Sequence, residues 1–356
     1  MIARATHEAR AAVIDMGGTG FATLQAAIDA ANPGDTIDIA AGTYTDQVAT
    51  VNKALTIQGV GGDAVFTQSA DTQLANLKGF LEVEANATLS NLVFQGASIS
   101  DANGANGAGI RYEAGTLAIT DSQFIGNQDG ILATPFTAGT GSITISNSVF
   151  SGNGVASGVG AGYAHAIYAT DIATLSVSDS LFTGTILGHD IKSRAASTNV
   201  SGNYLDDGVT GSASYAIDLP NGGAGVITGN VIAQGANTQN EAMVSYGEEG
   251  LSAEPASLTV TDNSFVNADP TGSIGIVNAS PVVADVSGND FACVATPVSG
   301  PADFSANTVA GVAPGCPLPA AVVPASVPAP GGAASWGAGL ALLMLARRRR
   351  INFAAR

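Results

Sequence analysis

The chain has 356 residues, 45 of them glycine, with only 12% charged residues and a formal net charge of −17. Such a composition does not make long charged helices or coiled coils. Four consecutive arginines at 347–350 and Arg356 supply five of the 12 basic residues, so the rest of the chain is more acidic still. It repels nucleic-acid phosphates and would attract hard divalent cations, calcium above all.

Residues 1–20 read as an N-terminal extension without an apolar stretch of signal-peptide length. Features at the other end call for export, so the natural start is expected to lie upstream. Phe21, Leu24, Ala27, Ile28 and Ala31 recur at helical spacing and Asn32-Pro33-Gly34 ends the pattern. A short helix is expected over 21–31, covering an otherwise open sheet edge.

A six-residue motif, one apolar residue followed five positions later by a larger one, then recurs eight times. The copies are LSNLVF (89–94), ITDSQF (119–124), ISNSVF (145–150), VSDSLF (177–182), VSGNYL (200–205), ITGNVI (227–232), VTDNSF (260–265) and VSGNDF (286–291). Their starts are 23 to 33 residues apart, so a constant core unit carries loops of variable length. Asn, Asp and Gly in the middle of the motif suit a left-handed bend between two short strands. Stacked in parallel at about 4.8 Å, Leu89, Ile119, Ile145, Val177, Val200, Ile227, Val260 and Val286 form one interior ladder. The residues five further on form a second, and Ile110, Ile131, Ile167, Ile191, Ile217 and Met243 a third. The expected fold is all-β, a right-handed parallel β-helix of about ten coils occupying 21–316.

Only five basic residues lie between Arg10 and Arg347: Lys53, Lys78, Arg111, Lys192 and Arg194. Two of them share the segment GHDIKSR (188–194). With Ile191 inside, Asp190, Lys192 and Arg194 are expected outside. Aligning HAIYAT (165–170), HDIKSR (189–194), YAIDLP (215–220) and EAMVSY (241–246) puts His165 beside His189 and Tyr215. It puts Tyr168, Lys192 and Asp218 in one outer file, and sets Arg194 near Thr170 and Tyr246. Asn221, Glu248 and Glu249 fall on nearby turns.

Cys293 and Cys316 are the only cysteines, and in an oxidising compartment they would form one disulfide across the last coil. Residues 317–332 are a Pro/Ala linker. The apolar run 333–346 ends at the arginine cluster, so 333–350 reads as a short membrane helix with its positive end in the cytoplasm. Linker, apolar helix and arginines in this order resemble the PEP-CTERM and GlyGly-CTERM sorting tails of exported proteins. The resemblance implies a processing protease as partner and a cell-surface or extracellular location, with the membrane touched only through this helix. A plain membrane anchor is the alternative.

The helix at 21–31, the turn Gly34-Asp35-Thr36, DTIDIAAGTY (35–44) and KALTIQG (53–59) resemble the opening coils of the pectate-lyase-like β-helix superfamily. That resemblance extends to Phe291 and implies a monomeric rod acting on polysaccharide. The superfamily's WIDH, RxPxxR, NTD, GHG and RIK motifs are absent, so no catalytic residue is carried over. On chemistry alone, a lyase could use Lys192 as base, Arg194 or calcium to neutralise a uronate carboxylate, and Tyr168, His189 or Tyr246 as proton donor. A hydrolase would need two carboxylates, for which Asp190 and Asp218 are nearest. His165, Tyr168, Tyr215, Asn221, Tyr246 and Glu248 would line a saccharide site. A non-catalytic adhesive or structural rod remains the other reading.

Overall fold

The computed structural model describes residues 12–311, apart from 71, 209 and 269–272. The linker, the apolar tail and Cys316 lie outside the described residues. Every strand pairing between named strands is parallel, and the strands form a 21-stranded and a ten-stranded sheet. The fold is a right-handed parallel β-helix in which each coil gives two short strands to the larger sheet and one to the smaller.

The repeated motif works because its third residue turns the chain without a loop. Asn91, Asp121, Asn147, Asp179 and Asp262 all have φ between 48° and 57° there, and glycine takes the same place at 202, 229 and 288. Short polar side chains tolerate this left-handed conformation best. On either side of the bend the predicted ladders form in register. Ile145 pairs Val177, Val177 pairs Val200, and Val200 pairs Ile227, all buried. Five positions on, Phe94, Phe124, Phe150 and Phe182 stack with ring centroids 4.6 to 5.4 Å apart. Tyr44 and Phe66 extend this column upward. Leu205 and Ile232 interrupt it, and Phe265 and Phe291 resume it.

The fourth motif position points inward although it is polar. Asn203, Asn230, Asn263 and Asn289 are buried, and each amide donates to the side-chain oxygen of the next and to a backbone carbonyl of the preceding coil. Ser122, Ser148 and Ser180 hold the same place in the earlier coils. Removing one amide leaves buried partners on both sides unsatisfied. Asn230→Ala is therefore expected to destabilise the protein by about 3 kcal/mol, read from urea denaturation. Asn230→Ser should lose less, since serine is already a working occupant of this ladder.

The helix spans Leu24–Ala30, shorter than the sequence pattern suggests. Phe21 is partly exposed and its backbone bridges Met16, so the helix starts only after Thr23, whose hydroxyl accepts from the Ala26 N–H at 3.2 Å. Leu24, Ala27 and Ile28 are buried against the first coil. Lys53 Nζ donates to the Ile28 and Ala31 carbonyls at the other end, where the helix dipole favours a cation. No helix among the described residues is long and apolar enough to cross a membrane.

Candidate functional site

Four consecutive strands of the smaller sheet, Ile167–Ala169, Ile191–Ser193, Ile217–Leu219 and Ala242–Tyr246, build the site. Ile167, Ile191 and Ile217 stack inside, which leaves Tyr168, Lys192 and Asp218 in the outer file in direct register. The next step differs from the sequence alignment by one residue. Ile217 pairs Val244 rather than Met243, so Tyr246 pairs Leu219 and enters the core. Its hydroxyl donates to the Gly223 carbonyl at 2.8 Å, and burial pushes the phenol up to about 12. Tyr246 does not belong to the outer patch.

Asp190 also departs from the expected placement. The strand begins only at Ile191, so alternation does not hold one residue earlier. The Asp190 side chain is buried and accepts from Thr185 Oγ1 at 2.6 Å. Burial raises it to about 7, opposed by the Thr185 bond and reinforced by Asp206.

Before the strands, a chain of acceptors ties successive coils together. Asp129 Oδ1 accepts the His165 N–H at 2.7 Å, His165 Nδ1 the His189 N–H at 2.9 Å, and His189 Nδ1 the Tyr215 N–H at 3.1 Å. Gly188 permits this approach, since a Cβ there would lie 1.9 Å from the Ala164 carbonyl oxygen. The imidazoles stack 4.8 Å apart, with Tyr215 tilted on His189 and Tyr168 edge-on to His165. Accepting at Nδ1 places the proton of a neutral imidazole on Nε2. Burial, then the neighbouring His189, Lys192 and Arg194 charges, hold His165 well below its ordinary value. Burial and Lys192 bring His189 down to about 3. Both rings are neutral, and His189 Nε2 stands 3.4 Å from Asp218 Oδ2.

In front of this layer lie the cations. Lys192 Nζ is 3.1 Å from Asp218 Oδ2 and 3.9 Å from Glu249 Oε1. Asp218 is nearly fully buried, and burial raises its carboxyl against the opposing pull of Lys192. Arg194 grips Glu249 in a two-point pair at 2.7 and 2.9 Å, bonds Asn221 Oδ1, and donates from Nε to the Tyr168 hydroxyl at 3.0 Å. Both cations lie 5.9 Å from the Tyr168 ring centroid. The Tyr215 hydroxyl donates to Glu248 at 2.9 Å. Of the residues singled out in the sequence, His165, Tyr168, His189, Lys192, Arg194, Tyr215, Asp218, Asn221 and Glu248 thus converge on one face.

The same outer file continues upward through Leu132, Arg111 and Glu82 to Thr50. There Glu82, Glu84 and Glu113 bring carboxylate oxygens within 4.8 Å of one another, a group that could hold a metal ion such as calcium. Lys78 Nζ already reaches into it, bonding Glu82 and lying 3.0 Å from Glu113. The sequence signal for this cluster was the two-residue spacing of Glu82 and Glu84; Glu113, on the neighbouring coil, carried none. At the last coil Cys293 is buried; its expected partner Cys316 lies outside the described residues.

No family model matches the chain, and no curated protein is significantly similar to it in sequence. Among solved structures it is similar to an alginate lyase from Paenibacillus sp. str. FPU-7, with a TM-score of 0.57 and 17% identity over 84% of this chain and 99% of that one. A PL6 family alginate lyase aligns with a TM-score of 0.44 and 18% identity over 83% of this chain and 39% of that one. The first similarity establishes a shared fold.

Proposed function

We propose that this chain binds a uronate-containing polysaccharide on the outer face of the smaller sheet and cleaves it by β-elimination at Tyr168, Lys192 and Arg194. The observation that carries this is a phenol, an ammonium and a guanidinium in mutual reach on a flat strand face, backed by two neutral imidazoles. Elimination needs a cation on the substrate carboxylate, a base at C5 and a proton for the leaving oxygen. Arg194 meets the carboxylate when the half-exposed Glu249 gives way. Lys192 passes a proton to Asp218 Oδ2, 3.1 Å away and raised by burial, and takes the C5 proton in its place; the electron pair becomes the C4–C5 double bond, the C4–O4 bond breaks, and the Tyr168 hydroxyl protonates the departing oxygen. His189 and Asp218 set the position of Lys192 from behind. The fold shared with an alginate lyase agrees with this reading.

Hydrolysis by Asp190 and Asp218 has no support, because Asp190 is turned toward Thr185. A non-catalytic rod is favoured by one observation: Lys192 and Arg194 each already have a carboxylate partner. Export, a sorting protease and a monomeric state belong to the proposal on sequence grounds alone.

Alginate, pectin and glycosaminoglycans should be screened by the absorbance of the unsaturated uronate product. On the substrate found, Tyr168→Phe is expected to lower kcat by about 100-fold or more with KM little changed. Neither product nor binding with any of these polymers would leave the rod reading standing.

A further inference from the structure

Four of the five basic residues in the body are committed by the fold. Lys53 caps the helix, Lys78 sits between Glu82 and Glu113, Lys192 pairs with Asp218, and Arg194 with Glu249, Asn221 and Tyr168. Arg111 is different. Among the described residues its guanidinium makes no hydrogen bond, and its Nε is buried without a partner. The nearest carboxylate, Glu113, is 3.8 Å away and already holds Lys78. In so acidic a protein, a cation held by one long contact and no hydrogen bond is a notable exception.

Asp129, one coil on, does not fill the role. It is buried with Oδ1 on the His165 N–H and Oδ2 unpartnered. Burial pushes its carboxyl up to about 7, against the pull of that N–H and of Arg111, so near neutrality much of it carries no charge.

Arg111 also has a defined place relative to the candidate centre. Along the outer file it pairs Leu132, Leu132 pairs Tyr168, and Tyr168 pairs Lys192. Three such steps span about 14 Å. A 1,4-linked pyranose chain advances by about one inter-coil step per sugar, so a chain lying along the helix axis presents its fourth ring to Arg111 when its first is at Lys192.

We propose that Arg111 is a carboxylate-reading position three sugars from the Lys192 centre, which makes the preferred ligand a polyuronate of at least four residues rather than a sparsely charged glycan. This rests on the uronate reading above. Arg111 acts there on affinity and chain-length selection, through a charge-assisted hydrogen bond to a substrate carboxylate.

The test uses oligomers of alginate and of polygalacturonate, from dimer to hexamer, with the wild type, Arg111→Gln and Arg111→Lys. For the wild type, KM is expected to fall as the oligomer reaches four residues. Arg111→Gln should raise KM about tenfold for the longer oligomers only, as expected for one charge-assisted contact. Its kcat and melting temperature should be unchanged, and Arg111→Lys should recover part of the loss. Equal KM values for wild type and Arg111→Gln at every length would overturn the Arg111 assignment and leave the Lys192 centre standing. A wild type that neither binds nor cleaves any of the oligomers would overturn both.

Discussion

Val177→Asp is expected to abolish the cooperative unfolding transition, while Ser178→Asp beside it keeps a folded protein. Val177 is 1% exposed and lies between Ile145 and Val200 in the central ladder. A carboxylate there would have no cation within reach, and burying an unpaired charge costs several kcal/mol or more, comparable with the whole stability of an ordinary domain. Neighbouring coils cannot compensate, since each coil of a solenoid contacts only the next. Ser178 points the other way, partly exposed between Ser146 and Ser201. Circular dichroism and urea melts of the two variants provide the comparison. Equal stability would mean that the inside and outside of this strand are exchanged.

The second large effect is chemical. The double variant Lys192→Ala, Arg194→Ala is expected to lose turnover on any substrate by about a thousandfold or more, since both the base and the carboxylate partner are gone. Stability should respond differently to the two changes. Arg194 pairs with a half-exposed Glu249, a contact contributing about 0–1 kcal/mol. Lys192 is the cation of a buried carboxylate, and Asp218 is already raised by burial. Without Lys192 the folded-state value of Asp218 rises further above its unfolded value. Its contribution is then least harmful at acidic pH, and stability falls as pH rises through the raised value. Lys192→Ala should therefore melt at progressively lower temperature as pH climbs from the ordinary carboxylate range to that raised value and level off beyond it, and Arg194→Ala should not. Full activity in the double variant would move the search for a site to the loops at 95–109 and 151–164.

The ladders were legible because the motif repeats a five-residue spacing around a bend that only a few residue types accept. The outer file Tyr168, Lys192, Asp218 followed from the isoleucine beside each. The alignment slipped at Met243 for a physical reason: all five residues of Ala242–Tyr246 are buried, so no polar alternation marks which of Met243 and Val244 faces the axis. Asp190 was misplaced because period-two alternation was carried past the strand's first residue. Arg111 was visible as one of five cations, but its lack of a hydrogen-bond partner depends on Glu113 being taken by Lys78, a contact between residues 35 positions apart. Pairings of that range leave no local trace in a sequence.

The interrupted aromatic column bears on how the rod responds to load. Stacked ring pairs add about 0.5–1.5 kcal/mol each, and they run unbroken from Tyr44 to Phe182 and again between Phe265 and Phe291. Leu205 and Ile232, in the coils that carry Lys192 and Asp218, contribute no such stacking. Bending or torsion applied to the rod would concentrate at this waist between two stiffer ends. A long polymer pulling along the sheet would flex the molecule beneath its own point of attachment, leaving both end segments as rigid handles.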